Sequence, residues 1–90
     1  MKKDIVNLYV SALGCPKCSV LKGVCENSDY IKQTDFKIIE VNPNNSNDTD
    51  LQLLLENGIK EFPVLLVNDD FYDFSKAMLF IRRWNEKIIW

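Results

Sequence analysis

Two strand patterns separated by a helical pattern restrict the fold of this chain more than any other feature. Residues 4–11 are rich in β-branched and aromatic residues and predict a buried strand. Gly14 breaks that pattern, and Pro16 suits the first turn of a helix, where its missing N–H has no cost. Residues 36–42 predict a second strand. Two strands joined by a helix form a βαβ unit, so we expect parallel strands and a right-handed crossover.

The second half of the chain predicts a helix followed by a hairpin. Asp48 or Thr49 is expected to cap this helix, and Gly58 is well placed to end it. Residues 64–67 and 71–74 predict two short strands, because the intervening Asn-Asp-Asp is a turn signal.

A last helix completes the predicted order β-α-β-α-β-β-α, and Ser75 is expected to cap it. The order contains no repeat and no linker, and 90 residues suit one domain. The sequence therefore predicts an α/β fold over residues 1–90, with a four-stranded mixed sheet and three helices on its faces.

Composition excludes several classes of partner. The net charge is −2 and acidic and basic residues are intermixed, so nothing favours a nucleic-acid partner. No stretch approaches the ~20 apolar residues of a membrane span, and no signal-peptide pattern is present. We therefore expect a cytoplasmic protein without a membrane partner. Three cysteines, two of them close together, fit a reactive pair in a reducing compartment better than a disulfide scaffold.

The segment Cys15-Pro16-Lys17-Cys18 has three common interpretations. A zinc site usually needs four Cys or His ligands, whereas this chain has one further cysteine and no histidine, so it could form one only by dimerisation. We predict no metal site. Two incidental cysteines are the second interpretation. A redox dithiol is the third, and the position of the pair between a strand and a helix favours it.

The predicted chemistry follows from the start of the helix. Cys15 falls near the N-cap, where unpaired N–H groups and the helix dipole favour a thiolate, and Lys17 adds a nearby cation that tunes the thiol pKa. Cys18 lies one turn further and is expected to be less exposed. Cys15 is thus the predicted nucleophile that forms a mixed disulfide, and Cys18 the thiol that resolves it.

The chain resembles the glutaredoxins of the thioredoxin-like superfamily over nearly its whole length. The resemblance rests on Cys15-Pro16-Lys17-Cys18 after the first strand, Phe62-Pro63-Val64 before the third, and the element order. It implies a thioredoxin-like fold, a cis Pro63 and a Phe62 backbone that pairs with a thiol peptide such as glutathione.

The same resemblance implies a monomeric thiol–disulfide oxidoreductase that reduces protein or glutathione mixed disulfides. No bound cofactor is expected, and glutathione is the candidate co-substrate. The implied binding residues are Pro16, Lys17, Phe62, Pro63 and Ser75. The implied partners are a disulfide-containing client protein and either glutathione or a thioredoxin or glutathione reductase system as electron donor.

The chain departs from the family pattern in three places, and these keep other functions open. The lysine that is usual a few residues before the dithiol is missing, since Ser11-Ala12-Leu13 stand there. Glu61-Phe62-Pro63 stands where glutaredoxins commonly carry Thr-Val-Pro, and Asp73-Phe74-Ser75-Lys76 where they carry Gly-Gly and a Cys/Ser-Asp pair. The alternatives are a thioredoxin-like electron donor that does not use glutathione and a non-enzymatic carrier of an iron–sulfur cluster. Cys25 is expected to be a buried core thiol. For Trp90 two roles remain open, cover for the sheet and self-association.

Overall fold

The computed structural model describes the backbone of residues 3–89 and the side chains of residues 3–84. Within that part of the chain, four strands and four helices follow one another as β1 (Ile5–Ser11), α1 (Pro16–Glu26), α2 (Asp29–Lys32), β2 (Asp35–Val41), α3 (Thr49–Glu56), β3 (Val64–Val67), β4 (Asp70–Tyr72) and α4 (Phe74–Ile89). The α/β class and the predicted strands are confirmed, with boundaries that move by one or two residues.

The strands form one mixed sheet in the order β2-β1-β3-β4. Strand β1 is parallel to β2, as the βαβ pattern predicts, and Leu8 pairs with Ile38. On its other side β1 is antiparallel to β3, where Leu8 faces Leu65. Strand β4 adds an antiparallel edge to β3. Because β1 is an inner strand, the cysteine segment that follows its carboxyl end lies between the neighbouring strands rather than at an edge strand.

Alternation along β1 divides the core into two layers. Val6, Leu8 and Val10 are buried with residues of α1, α2 and α4, whereas Tyr9 is buried with residues of α3. Successive strand residues point to opposite faces, so one strand serves both layers. Helices α1 and α4 therefore share one face of the sheet, and α3 covers the other.

The prediction of three helices is wrong, because the short helix α2 lies between α1 and β2. Ser28 is fully buried, and its hydroxyl accepts a hydrogen bond from the Ile31 N–H at 3.2 Å, which caps this helix. Tyr30 and Ile31 are buried in the layer of α1 and α4. Four residues are too few for a periodic pattern, so no pattern in the sequence indicates this helix. The burial of Tyr30 and Ile31 that stabilises it is visible only in the structure.

The predicted capping of α3 is confirmed and narrowed to Asp48. Its carboxylate accepts hydrogen bonds from the N–H groups of Asp50, at 2.9 Å, and Leu51, at 3.3 Å. At the other end, Gly58 has a φ of +75°, which glycine adopts without the steric cost of a side chain. The helix ends at Glu56, two residues before it.

The prediction that Ser75 caps the last helix is wrong. Helix α4 begins at Phe74, and the carboxylate of Asp73 accepts a hydrogen bond from the Lys76 N–H at 2.8 Å. Asp73 is therefore the capping residue, and Ser75 is exposed within the first turn. Aspartate and serine both favour the cap position. Because β4 ends at Tyr72 rather than at residue 74, the helix begins earlier than predicted and Asp73 takes that position.

Replacing Asp73 with alanine is expected to lower the free energy of unfolding by about 1 kcal/mol, because the Lys76 N–H loses its partner. Ser75→Ala is the matched control, with an expected change below about 0.5 kcal/mol. Urea denaturation of both variants measures the two values. An equal or larger loss in Ser75→Ala would contradict the assignment of the cap.

Helix α4 places Ala77 and Ile81 fully inside the core and leaves Arg82 and Arg83 exposed, as the helical pattern predicts. Trp90, for which the sequence leaves two roles open, lies outside the described residues. No helix in residues 3–89 has the length and hydropathy to cross a bilayer.

Candidate functional site

The two cysteines of the predicted dithiol meet at the start of α1. Cys15 is the N-cap, with extended φ and ψ of −162° and 104°, and Pro16 is in the first turn. Gly14 precedes them with a φ of +92°, a conformation that a residue with a side chain rarely adopts. Cys15 and Cys18 are joined by a disulfide across a Cα–Cα distance of 5.1 Å. The strand–turn–helix connection thus brings both sulfur atoms together.

The side chain of Cys15 caps helix α1. Its Sγ accepts a hydrogen bond from the Cys18 N–H at 3.2 Å, so the sulfur takes the place of the oxygen in an ordinary cap. The helix N-terminus carries partial positive charge and unpaired N–H groups. After reduction, this arrangement favours the thiolate form of Cys15.

The two cysteines differ in accessibility. Cys15 is half-buried, whereas only 5% of the Cys18 surface is exposed. A substrate can therefore approach the first sulfur more readily than the second. This difference fits the predicted order of attack.

The loop before β3 reaches the dithiol from the other half of the sheet. The Phe62–Pro63 peptide bond is cis, which agrees with the family resemblance. The carbonyl oxygen of Phe62 lies 3.8 Å from Cys15 Sγ. Pro63 is fully buried, and Phe62 packs against both core layers. Residues far apart in the chain thus form one side of the site.

Lys17 lies beside an aromatic ring that sequence reasoning did not assign to the site. Its Nζ is 5.8 Å from the centre of the Phe74 ring, a cation–π distance. Phe74 begins α4, so this contact brings that helix close to the dithiol. Ser75 follows on the same helix and is exposed, and none of the described hydrogen bonds joins it to the cysteines.

A shallow cavity of about 270 Å³ borders the dithiol on a side that Phe62 does not line. Its walls carry opposite charges from Lys22 and Glu40, and the rest of the lining comes from Val10, Ser11, Ala12, Gly14, Cys15, Cys18 and Ser19. Sequence reasoning missed Glu40. Its parallel pairing with Val10 at the carboxyl ends of two strands was the available signal.

Cys25 is separate from this site. It is fully buried in the core, which confirms the expectation of a core thiol. Burial raises the pKa of the Cys25 thiol from 9.0 to about 12, and the charge of Glu26 adds to the effect. The thiol therefore stays protonated at neutral pH and is a poor nucleophile.

The raised pKa of Cys25 predicts a loss of stability in alkali. The unfolded chain ionises this thiol near pH 9.0, whereas the folded protein keeps it protonated up to about pH 12. The stabilisation is complete below pH 9.0 and decreases as the pH rises towards 12. In urea denaturation of the oxidised protein, Cys25→Ala is expected to show a weaker fall above pH 9 than the wild type. Parallel pH profiles would contradict this.

Among the side chains of residues 3–84, no group of three or more His, Cys, Asp or Glu residues is arranged to hold a metal ion.

Comparisons with known proteins extend the description of the fold. No protein-family model and no curated protein matches the sequence. A solved structure described as "Structure of a malarial protein" superposes with a TM-score of 0.52 at 13% sequence identity. The match covers 91% of this chain and 97% of that chain. At this identity the likeness indicates a shared overall fold.

Proposed function

We propose that this protein is a small dithiol–disulfide oxidoreductase of the glutaredoxin-like kind, with a thioredoxin-like fold. The observation that carries the proposal is the environment of Cys15. This sulfur caps α1, lies within bonding reach of Cys18 and is 3.8 Å from the Phe62 carbonyl oxygen. An exchange cysteine needs a stabilised thiolate, a nearby second thiol and a polar backbone group for the substrate chain. The helix N-terminus, Cys18 and the Phe62 carbonyl group are the features that would meet these needs once the disulfide is reduced.

The reaction proceeds in two exchanges. The Cys15 thiolate attacks one sulfur of the substrate disulfide, a bond to that sulfur forms, and the other substrate sulfur leaves as a thiolate. Cys18 then loses its proton and attacks Cys15 Sγ, which releases the second substrate thiolate and forms the Cys15–Cys18 disulfide. The substrate gains two electrons and the dithiol loses two. An external thiol reductant restores the dithiol.

Client proteins with an accessible disulfide are the proposed substrates, in the cytoplasm, where reductants are available. Extended substrate backbone would lie beside Phe62 and Pro63 and pass the Lys17–Phe74 pair. These contacts act on backbone and on apolar side chains, so they suit polypeptides of varied sequence.

The start of α4 favours a reductase as electron donor over glutathione. The Asp73 carboxylate already accepts the Lys76 N–H at 2.8 Å, and it stands where glutaredoxins commonly have a glycine. A glutathione carboxylate at this helix end would meet a like charge and an N–H that is already paired. The second candidate function is therefore a thioredoxin-like electron donor that does not use glutathione.

Disulfide reduction with three reductants tests both versions. Insulin and hydroxyethyl disulfide would be the substrates, and the reductants would be dithiothreitol, glutathione with glutathione reductase, and NADPH with thioredoxin reductase. We expect turnover with dithiothreitol and with thioredoxin reductase, and slower turnover with glutathione. Cys25→Ala is the matched control and should retain activity. Failure of all three reductants would overturn the oxidoreductase proposal.

A further inference from the structure

A second cavity, of about 290 Å³, lies between α4 and β4, and none of its described lining residues also lines the cavity beside the dithiol. Helix α4 contributes Lys76, Leu79, Phe80 and Arg83, which are spaced so that they fall on one face, and β4 contributes Tyr72. The proposed oxidoreductase mechanism does not use this face, and the core uses only the inner sides of Tyr72 and Phe80.

The cavity has an apolar wall built from aromatic rings. The rings of Tyr72 and Phe80 are 4.7 Å apart between centroids, and both side chains are half-buried. Phe80 also packs edge-on against Tyr30, which stacks on Trp84 at 4.8 Å. Beside these rings, Leu79 is 54% exposed. Tyr30 and Trp84 thus pack behind Phe80 and support the wall that Tyr72 and Phe80 form.

The rest of the described lining is cationic. Lys76 and Arg83 are both exposed, and no carboxylate is among the described residues that line the cavity. Among the side chains of residues 3–84, neither cation has an ion-pair partner. The chain as a whole carries a net charge of −2, whereas the described charged residues that line this cavity are both positive. Two exposed cations beside an apolar wall favour a negative ligand with an apolar part.

We propose that this cavity binds a small aromatic anion. The aromatic ring of the ligand packs against Tyr72, Phe80 and Leu79, and its negative group pairs with Lys76 and Arg83. The volume is near the lower end of the roughly 300–1,000 Å³ of ligand pockets, which suits one ring with its acid group. Aromatic phosphate esters and aromatic carboxylates share this chemistry.

Titrations with four probes, followed by amide chemical shifts, separate the parts of the proposal. Phenyl phosphate and benzoate carry a ring and a charge, phenol carries only the ring, and inorganic phosphate only the charge. We expect phenyl phosphate, benzoate or both to shift the amides of Tyr72 and Phe80, with phenol and phosphate at least tenfold weaker. The stronger of the two acids identifies the source as phosphate ester or carboxylate. Equal binding of phenol or of inorganic phosphate would overturn the proposal, as would no binding of either acid.

Variants test the two cations directly. Arg83→Gln and Lys76→Gln are each expected to weaken binding of the better acid about tenfold, because each removes one charged partner. Lys37→Gln, on β2 at the opposite edge of the sheet, is the control and should bind as the wild type does. Unchanged affinity in the Lys76/Arg83 double variant would contradict the site. The readout is binding, so its failure leaves the proposed redox function untouched.

Discussion

Replacing Cys15 with serine is expected to abolish disulfide reduction, with a loss on the order of 10³-fold or more, because the reaction then has no nucleophile. A serine hydroxyl is not ionised at neutral pH, and the exchange disulfide with Cys18 cannot form. Insulin reduction with dithiothreitol or thioredoxin reductase measures the loss. Cys25→Ala, which removes the buried third thiol, is the matched control and should keep its activity.

The order of attack is tested by the second cysteine. Cys18→Ser keeps the nucleophile and removes the resolving thiol, so we expect it to accumulate a mixed disulfide between Cys15 and the substrate. Mass spectrometry of the variant after mixing with a disulfide substrate detects the added mass, and reduction removes it. If Cys15→Ser accumulates the adduct and Cys18→Ser does not, the roles of the two cysteines are reversed.

Sequence could predict the dithiol because its geometry is local. The cap at Cys15, the first-turn position of Pro16 and the approach of Cys18 all arise within one helical turn. The surroundings of the dithiol depend on the tertiary fold instead. Phe74 meets Lys17 only because α4 packs beside α1, and Glu40 approaches only because β2 pairs with β1. No local pattern contains those contacts.

The same distinction explains the fold. Strands β1 and β3 were predictable because buried strands are apolar runs. Strand β2 is mostly exposed and was predictable from its place in the βαβ unit, which also fixes its direction relative to β1. Helix α2 was not, because its four residues carry no periodicity and its stability comes from burying Tyr30 and Ile31. The choice of Asp73 over Ser75 as cap depended on where β4 ends, which is set by its pairing with β3.

Leu8→Ala is expected to be the most destabilising single truncation of the sheet. Leu8 is fully buried at the centre of β1, between β2 and β3, in the layer shared with α1 and α4. Removing such a side chain leaves a cavity that the surrounding strands cannot close, and the cost is about 2–5 kcal/mol. A domain of this length has roughly 5–13 kcal/mol of stability in total, so the loss is a large fraction. Urea denaturation measures it.

Ile38→Ala is the matched control, because Ile38 pairs with Leu8 in the register of β1 and β2 but is 37% exposed at the sheet edge. Its loss should be below about 1.5 kcal/mol, since water already reaches part of the side chain and less cavity remains. Equal losses in the two variants would contradict the layering of the core. Leu8 lines neither cavity, so Leu8→Ala protein that is still folded should reduce disulfides at the wild-type rate. A slower rate in that folded fraction would mean that packing beneath α1 positions the dithiol.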